Sequence, residues 1–237
     1  MFLSLDRVDV QAELPDGRRL WVQTDHRTAE EIAATEALST IAALIRCLNA
    51  RRHAPSGVET VIAYSLRCEP PAFLRTAVER ASGHVWLDRD PALLKQPIHP
   101  GSVDVEFVEA LANASFIALA EEVAAGRRCA SPMEALRAYE AELEANGFPE
   151  EDDESSFWRT ILELAALTGR AIEQTNCGRW RYSPTTIGTL PLTFECSFNR
   201  ERATANPLGK ALKFLREKGG GDEPSAMVAM LAGAPWK

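Results

Sequence analysis

Asp25-His26-Arg27 is the cluster in this sequence best suited to chemistry. A carboxylate beside an imidazole supplies an orienter and a general base. The tripeptide also falls where a strand should end and a helix begin, a kind of loop that often carries function. Adjacent side chains seldom point the same way, however. The plainer reading has Asp25 turning the chain and leaves His26 and Arg27 as exposed loop residues. Cys68 is the candidate nucleophile, with His84 a partner that need only be close in space. Nothing in Cys68-Glu69-Pro70-Pro71 activates its thiol. His26, His53, His84 and His99 form no H-E-x-x-H pattern and no i, i+4 pair, so no zinc site is expected. Dinucleotide, Walker A and G-x-S-x-G signatures are missing as well. Gly219-Gly220-Gly221 follows a helix, whereas phosphate cradles precede one. No metal and no cofactor are expected.

Two further stretches carry charge in a pattern. Arg179-Trp180-Arg181-Tyr182 sets cations beside aromatics, which suits stacking on a base. Period two puts Trp180 and Tyr182 on one face and both arginines on the other, as in an ordinary strand of a packed sheet. The second stretch is acidic. Residues 101–154 hold 14 acidic and 3 basic side chains, residues 155–237 hold 7 and 11, and the chain as a whole is at −8. That balance disfavours nucleic acid as a partner. The acids are read either as the solvated face of a helix pair or as a docking face for a basic protein. The face would comprise Glu140, Glu142 and Glu144 with the loop Glu150, Glu151, Asp152, Asp153 and Glu154. Lys210, Lys213, Arg216 and Lys218 suit the negative end of their own helix, or pair with those acids.

At 237 residues the chain is long enough for one large or two modest domains. It shows no basic n-region followed by an apolar core, and no apolar run near the ~18 residues that span a bilayer. Five cysteines, odd in number and without a C-x-x-C pair, are read as reduced and mostly buried thiols. A cytoplasmic location without membrane contact follows as the expectation.

The elements that must position these residues can be read in order. Val8, Val10, Ala12 and Leu14 alternate up to Pro15-Asp16-Gly17, and Leu20 and Val22 alternate beyond it, which predicts a hairpin. Thr28 and Glu31 form a capping box that opens one long helix with Ala34, Leu38, Ile41, Leu44, Ile45 and Leu48 on its apolar face. A strand over 58–66, a helix after Pro70-Pro71 closed by Gly83, and a strand over 84–88 complete a ββαβαβ domain at 1–90. Residues 91–102, with three prolines and a glycine, read as a linker. A helix-rich α+β domain with a small antiparallel sheet follows over 103–237. Its helices are expected over 103–125, from the Ser131-Pro132-Met133-Glu134 cap to Asn146-Gly147, and from Ser155 or Ser156 to Asn176, with Gly178 as the left-handed stop. Leu190, Leu192, Phe194, Cys196 and Phe198 alternate as a half-buried strand. Asn206 caps a helix with Pro207 at its first position, and a short helix closes the chain over 223–231. The whole is α+β.

The Asp16-Gly17 hairpin, the Thr24-Asp25-His26 exit and the long helix ending near Leu48-Asn49 resemble small bacterial domains of unknown function. Trp158, Gly169, Gly178-Arg179-Trp180 and Asn206-Pro207-Leu208-Gly209-Lys210 form a pattern similar to another uncharacterised bacterial type. Such domains are accessory or immunity-type proteins without an established active site, so the resemblance transfers no functional residue. The reading favours a non-enzymatic binding or adaptor protein, for instance an immunity-type inhibitor with an acidic docking face. The alternative is a small hydrolase-like enzyme using Asp25, His26 and Cys68 between the domains.

Overall fold

The computed structural model describes residues 9–54, 57, 59–87, 102–184, 190–198, 201–221 and 223–233. The chain divides into two compact units, Met1–Ala112 with Pro184–Pro191, and Asn113–Ser183 with Leu192–Lys237. The expected linker over 91–102 lies, apart from Ser102, outside the described residues.

In the first unit, β1 (Val10–Glu13) and β2 (Arg19–Asp25) pair antiparallel with Val10 opposite Val22. Gly17 takes φ 84° in the connection, where a side chain would be strained. Strand β2 then runs parallel to β3 (Thr60–Leu66), and β3 parallel to β4 (His84–Leu87), in the order β1-β2-β3-β4. Parallel neighbours need crossovers. The first is α1 (Ala29–Ala33) with α2 (Glu36–His53), and the second is α3 (Ala72–Arg80). Helix α2 packs on both α3 and β3, so the helices share one face of the sheet. Leu14, Leu20, Val22, Val61 and Ala63 gather on the other, with Trp86 against them.

The single long helix expected from Thr28 is two helices. The Thr28–Glu31 capping box forms, but the helix stops at Ala33 and restarts after Thr35, whose φ of −129° is not helical. The break places the Thr35 hydroxyl, together with Ser39 one turn on, against the Arg27 guanidinium. Helix α2 then runs to His53, beyond Leu48-Asn49, and is buried on all sides from Ala37 to Ala50. Ala34, assigned to its apolar face, is exposed in the break.

The second unit takes over within α4 (Val105–Gly126), after Ala112. Helix α5 (Pro132–Asn146) starts on the expected cap, with Ser131 Oγ accepting from the Glu134 amide. Helix α6 (Glu154–Asn176) packs against α5, the sheet strands β5 (Gly178–Tyr182) and β6 (Leu192–Phe198), and helices α7 (Pro207–Arg216) and α8 (Pro224–Leu231). Its cap is Asp153 rather than a serine, because the Asp153 carboxylate reaches the Ser156 amide. A third strand, β7 (Glu201–Ala205), which the sequence pattern did not reveal, completes the antiparallel order β5-β6-β7. The left-handed residue after α6 is Cys177, at φ 48°, and not Gly178. Gly178 is needed for another reason. A Cβ there would lie 2.7 Å from the Glu195 carbonyl oxygen and against the Phe194 ring.

Candidate functional site

Asp25 ends β2 at the carboxyl edge of the parallel strands, the edge at which open α/β sheets carry ligands. Its side chain is closed off instead. Arg27 Nε donates to Asp25 Oδ1 at 3.0 Å and Nη2 to Oδ2 at 2.7 Å, a two-pronged ion pair. Tyr64, reaching over from β3, donates its hydroxyl to Oδ2 at 3.0 Å. The remaining nitrogen, Arg27 Nη1, donates to Ser39 Oγ at 2.9 Å and Thr35 Oγ1 at 3.3 Å. Burial by itself raises the Asp25 pKa, but the hydrogen bonds and charge of Arg27 outweigh it and hold the carboxyl below its ordinary range. Burial is also the main reason that the Tyr64 phenol is pushed up.

The structure therefore sorts the three expected members of this cluster differently from the sequence. Arg27 is buried where an exposed loop residue was expected, because a buried Asp25 requires a cation. His26 is exposed and makes no hydrogen bond to Asp25. Cys68, 41 residues further on, does come close, and its thiol donates to the Arg27 carbonyl oxygen at 3.6 Å. Partial burial and the negative charge of Asp25 raise the Cys68 pKa and keep it a thiol, the less nucleophilic form. Tyr64 and Ser39, central to the cluster, carried no chemical signal in the sequence.

The eight acids assigned to a docking face meet several fates. Glu140 is 5% exposed, and its Oε1 accepts from the Ser225 amide at 2.7 Å, capping α8. Burial raises its pKa, and neighbouring Glu223 and Glu144 add to the rise. Asp153 caps α6, and the same hydrogen bond lowers its pKa. Glu142 pairs with Arg127, Glu150 with Lys218 and Glu151 with Arg216. The pairing of Lys218 and Arg216 with these acids is the alternative role weighed for the basic helix. Glu144 and Asp152 are exposed without an ion-pair partner among the described residues, and Glu154 is half-buried in the first turn of α6. The burial of Glu140 was legible after all. It follows Leu136 by four residues and precedes Leu143 by three, on the buried stripe of α5.

Trp180, a candidate for stacking on a base, is 2% exposed. It stacks on Phe116 at 3.8 Å between ring centres, meets Phe194 edge-on, and fills the space that a Cβ on Gly169 would need. Asn113 secures its backbone, Nδ2 donating to the Trp180 carbonyl at 3.0 Å and Oδ1 accepting from the Trp180 amide at 2.7 Å. The other face of the same sheet is polar. Antiparallel register sets Arg179 opposite Glu195 and Ser197 opposite Arg202, and Glu195 pairs with both Arg181 and Arg202.

All five cysteines are free thiols, and only Cys47 and Cys196 are fully buried. Burial pushes the Cys47 thiol up to about 12. Among the described residues no three His, Cys, Asp or Glu side chains are grouped so as to hold a metal ion, and no helix is long and apolar enough to cross a membrane.

Fold and sites together define a mixed α+β protein with a parallel-strand unit and a helical unit around an antiparallel sheet. Compared with models of known families, with curated proteins and with solved structures, the chain matches none. The resemblance to uncharacterised bacterial domains gains no support from these comparisons.

Proposed function

We propose that the protein works by binding a basic protein partner through the acidic face of its second unit. The observation that carries this reading is the pair Glu144 and Asp152, exposed and without an ion-pair partner among the described residues. They belong to a segment with 14 acidic and 3 basic side chains over 101–154. Glu142, Glu150 and Glu151 extend the face. Arg127, the partner of Glu142, is half-buried over the Tyr139 ring. The pairs of Glu150 with Lys218 and Glu151 with Arg216 are open to solvent, and exposed pairs of this kind contribute about 0–1 kcal/mol. A docking cation can therefore replace Lys218 or Arg216 at little cost. Glu140 and Asp153 drop out of the contact surface, since each is committed to a helix cap. Such a face speeds encounter with a cationic partner more than it tightens the complex. An immunity-type inhibitor of a basic toxin is one concrete form. The hydrolase-like alternative gains nothing from the same geometry, since Asp25 already accepts from Arg27 and Tyr64.

The test is capture from host extract on three immobilised proteins: the wild type, the Glu144→Lys/Asp152→Lys variant, and a Glu13→Lys/Glu30→Lys control reversed in the first unit. A basic protein retained by wild type and control, lost from the 144/152 variant and associating more slowly as salt rises is the expected result. Identical retention by all three proteins overturns the reading.

A further inference from the structure

The polar face of β5-β6-β7 holds an open cavity of about 410 Å3, within the size range of small-molecule sites. Its wall includes Arg179, Arg202 and Ser197 together with Glu195, Gly178 and the exposed Cys177. The charges are not balanced pairwise. Arg181 and Arg202 both pair with Glu195, so that carboxylate is already shared between two guanidinia. Their proximity outweighs the effect of partial burial and lowers its pKa. Arg179, directly across the ladder from Glu195, has no hydrogen-bond or ion-pair partner among the described residues. Strands lie about 4.8 Å apart and residues about 3.3 Å along them, and Arg202 faces Ser197, two residues on from Glu195, so Arg179 on β5 and Arg202 on β7 stand roughly 12 Å apart at the backbone, astride β6. Long side chains converging from that distance bracket one oxyanion. The remaining wall is of a different character. Gly178 adds no side chain to it, and Cys177 is exposed beside it. Glu201 adds a carboxylate to the rim, which limits the guest to a small negative charge.

We propose that this cavity binds a small amphiphilic acid, its carboxylate or phosphate head held by Arg179 and Arg202 and its apolar body lying over Gly178 and beside the Cys177 thiol. The site is separate from the acidic face and does not depend on that face being a docking surface. Guanidinium groups suit both heads, because their paired N–H donors match two oxygens of either.

The experiment titrates the full chain with hexanoate, hexyl phosphate, inorganic phosphate and hexanol, following binding by calorimetry. Alkylation of each cysteine by iodoacetamide is mapped in parallel by mass spectrometry. Binding of hexanoate or hexyl phosphate, whichever head is preferred, is expected to slow alkylation of Cys177 and leave Cys68 and Cys129 unaffected. The comparison of the two amphiphiles identifies the head, and inorganic phosphate is expected to bind more weakly than hexyl phosphate. Arg179→Gln is expected to weaken binding by tenfold or more, with Arg179→Lys restoring part of it. Arg179 is exposed and has no ion-pair partner among the described residues, so neither variant disturbs the core. Failure of both amphiphiles to bind in the millimolar range overturns the proposal. So does equal binding of hexanol, or an unchanged affinity in Arg179→Gln.

Discussion

Asp25 and Glu140 are carboxylates of similar burial, 3% and 5% exposed, yet their pKa values move in opposite directions. In the first unit Asp25 meets a two-pronged guanidinium and a phenol, and the charged form wins despite burial. In the second unit Glu140 meets one backbone amide, with Glu144 and Glu223 nearby, and burial wins. What decides the protonation of a buried acid is the cation supplied with it, more than the depth of burial. The two units thus handle charge differently. At the buried position one encloses a matched ion pair, and the other sets a carboxylate against a helix amide.

The largest test of this contrast is Asp25→Asn, which leaves Arg27 buried without a counter-charge and should cost about 3–5 kcal/mol in chemical denaturation at neutral pH. Asp25→Asn/Arg27→Met, with no charge left to bury, should lose less than the single variant. The pH dependence follows from the lowered pKa. The contribution of Asp25 is complete above its unfolded value of about 3.9 and disappears as pH falls through the folded value. Wild type should therefore lose stability in acid more steeply than Asp25→Asn, and parallel profiles would sink the account of Asp25. Next in size is Asn113→Ala, which strips the Trp180 backbone of a donor and an acceptor and should cost about 2 kcal/mol by thermal or urea unfolding.

Smaller effects probe the opposite case. Glu140→Gln keeps an oxygen for the Ser225 amide and removes a charge that burial disfavours, so stability should stay within about 1 kcal/mol of wild type. The sign reverses that of Asp25. A raised folded pKa means that the contribution of Glu140 is present at low pH and is lost as pH rises through that value. The variant should gain on wild type above that pH, and a variant that instead falls behind would show that the ionised form is needed. Smallest of all is Lys218→Ala, which breaks one exposed pair with Glu150 and should change stability by no more than about 0.5 kcal/mol.

Much of this architecture was legible because local chemistry and burial agree along it. The alternation of Leu192, Phe194 and Cys196, the Ser131-Pro132 and Asn206-Pro207 caps, and the order of strands and helices in the first unit all read directly. Strand β7 did not, since only Ala205 of its five residues is buried and no alternation marks it. The break at Thr35 was equally silent, since neither Ala34 nor Thr35 is a residue that ordinarily stops a helix. Asp25 was read as an orienter for His26, but His26 is exposed and the carboxylate faces Arg27 and Tyr64. Arg27 lies two residues on, while the contact with Tyr64 depends on the pairing of β2 with β3. The cavity beside Arg179 arises only once three strands lie side by side, so no short stretch of sequence contains it.

The two hydrogen bonds from Asn113 have a bearing on how these molecules behave toward one another. Strand β5 is the first of its sheet, and its outward backbone would ordinarily offer a donor and an acceptor to any extended chain. The Asn113 amide takes up both at Trp180, standing in for one peptide of a missing strand. A side chain thus shields this edge of the sheet from edge-to-edge addition, and Asn113→Ala should make the protein more prone to aggregate at high concentration.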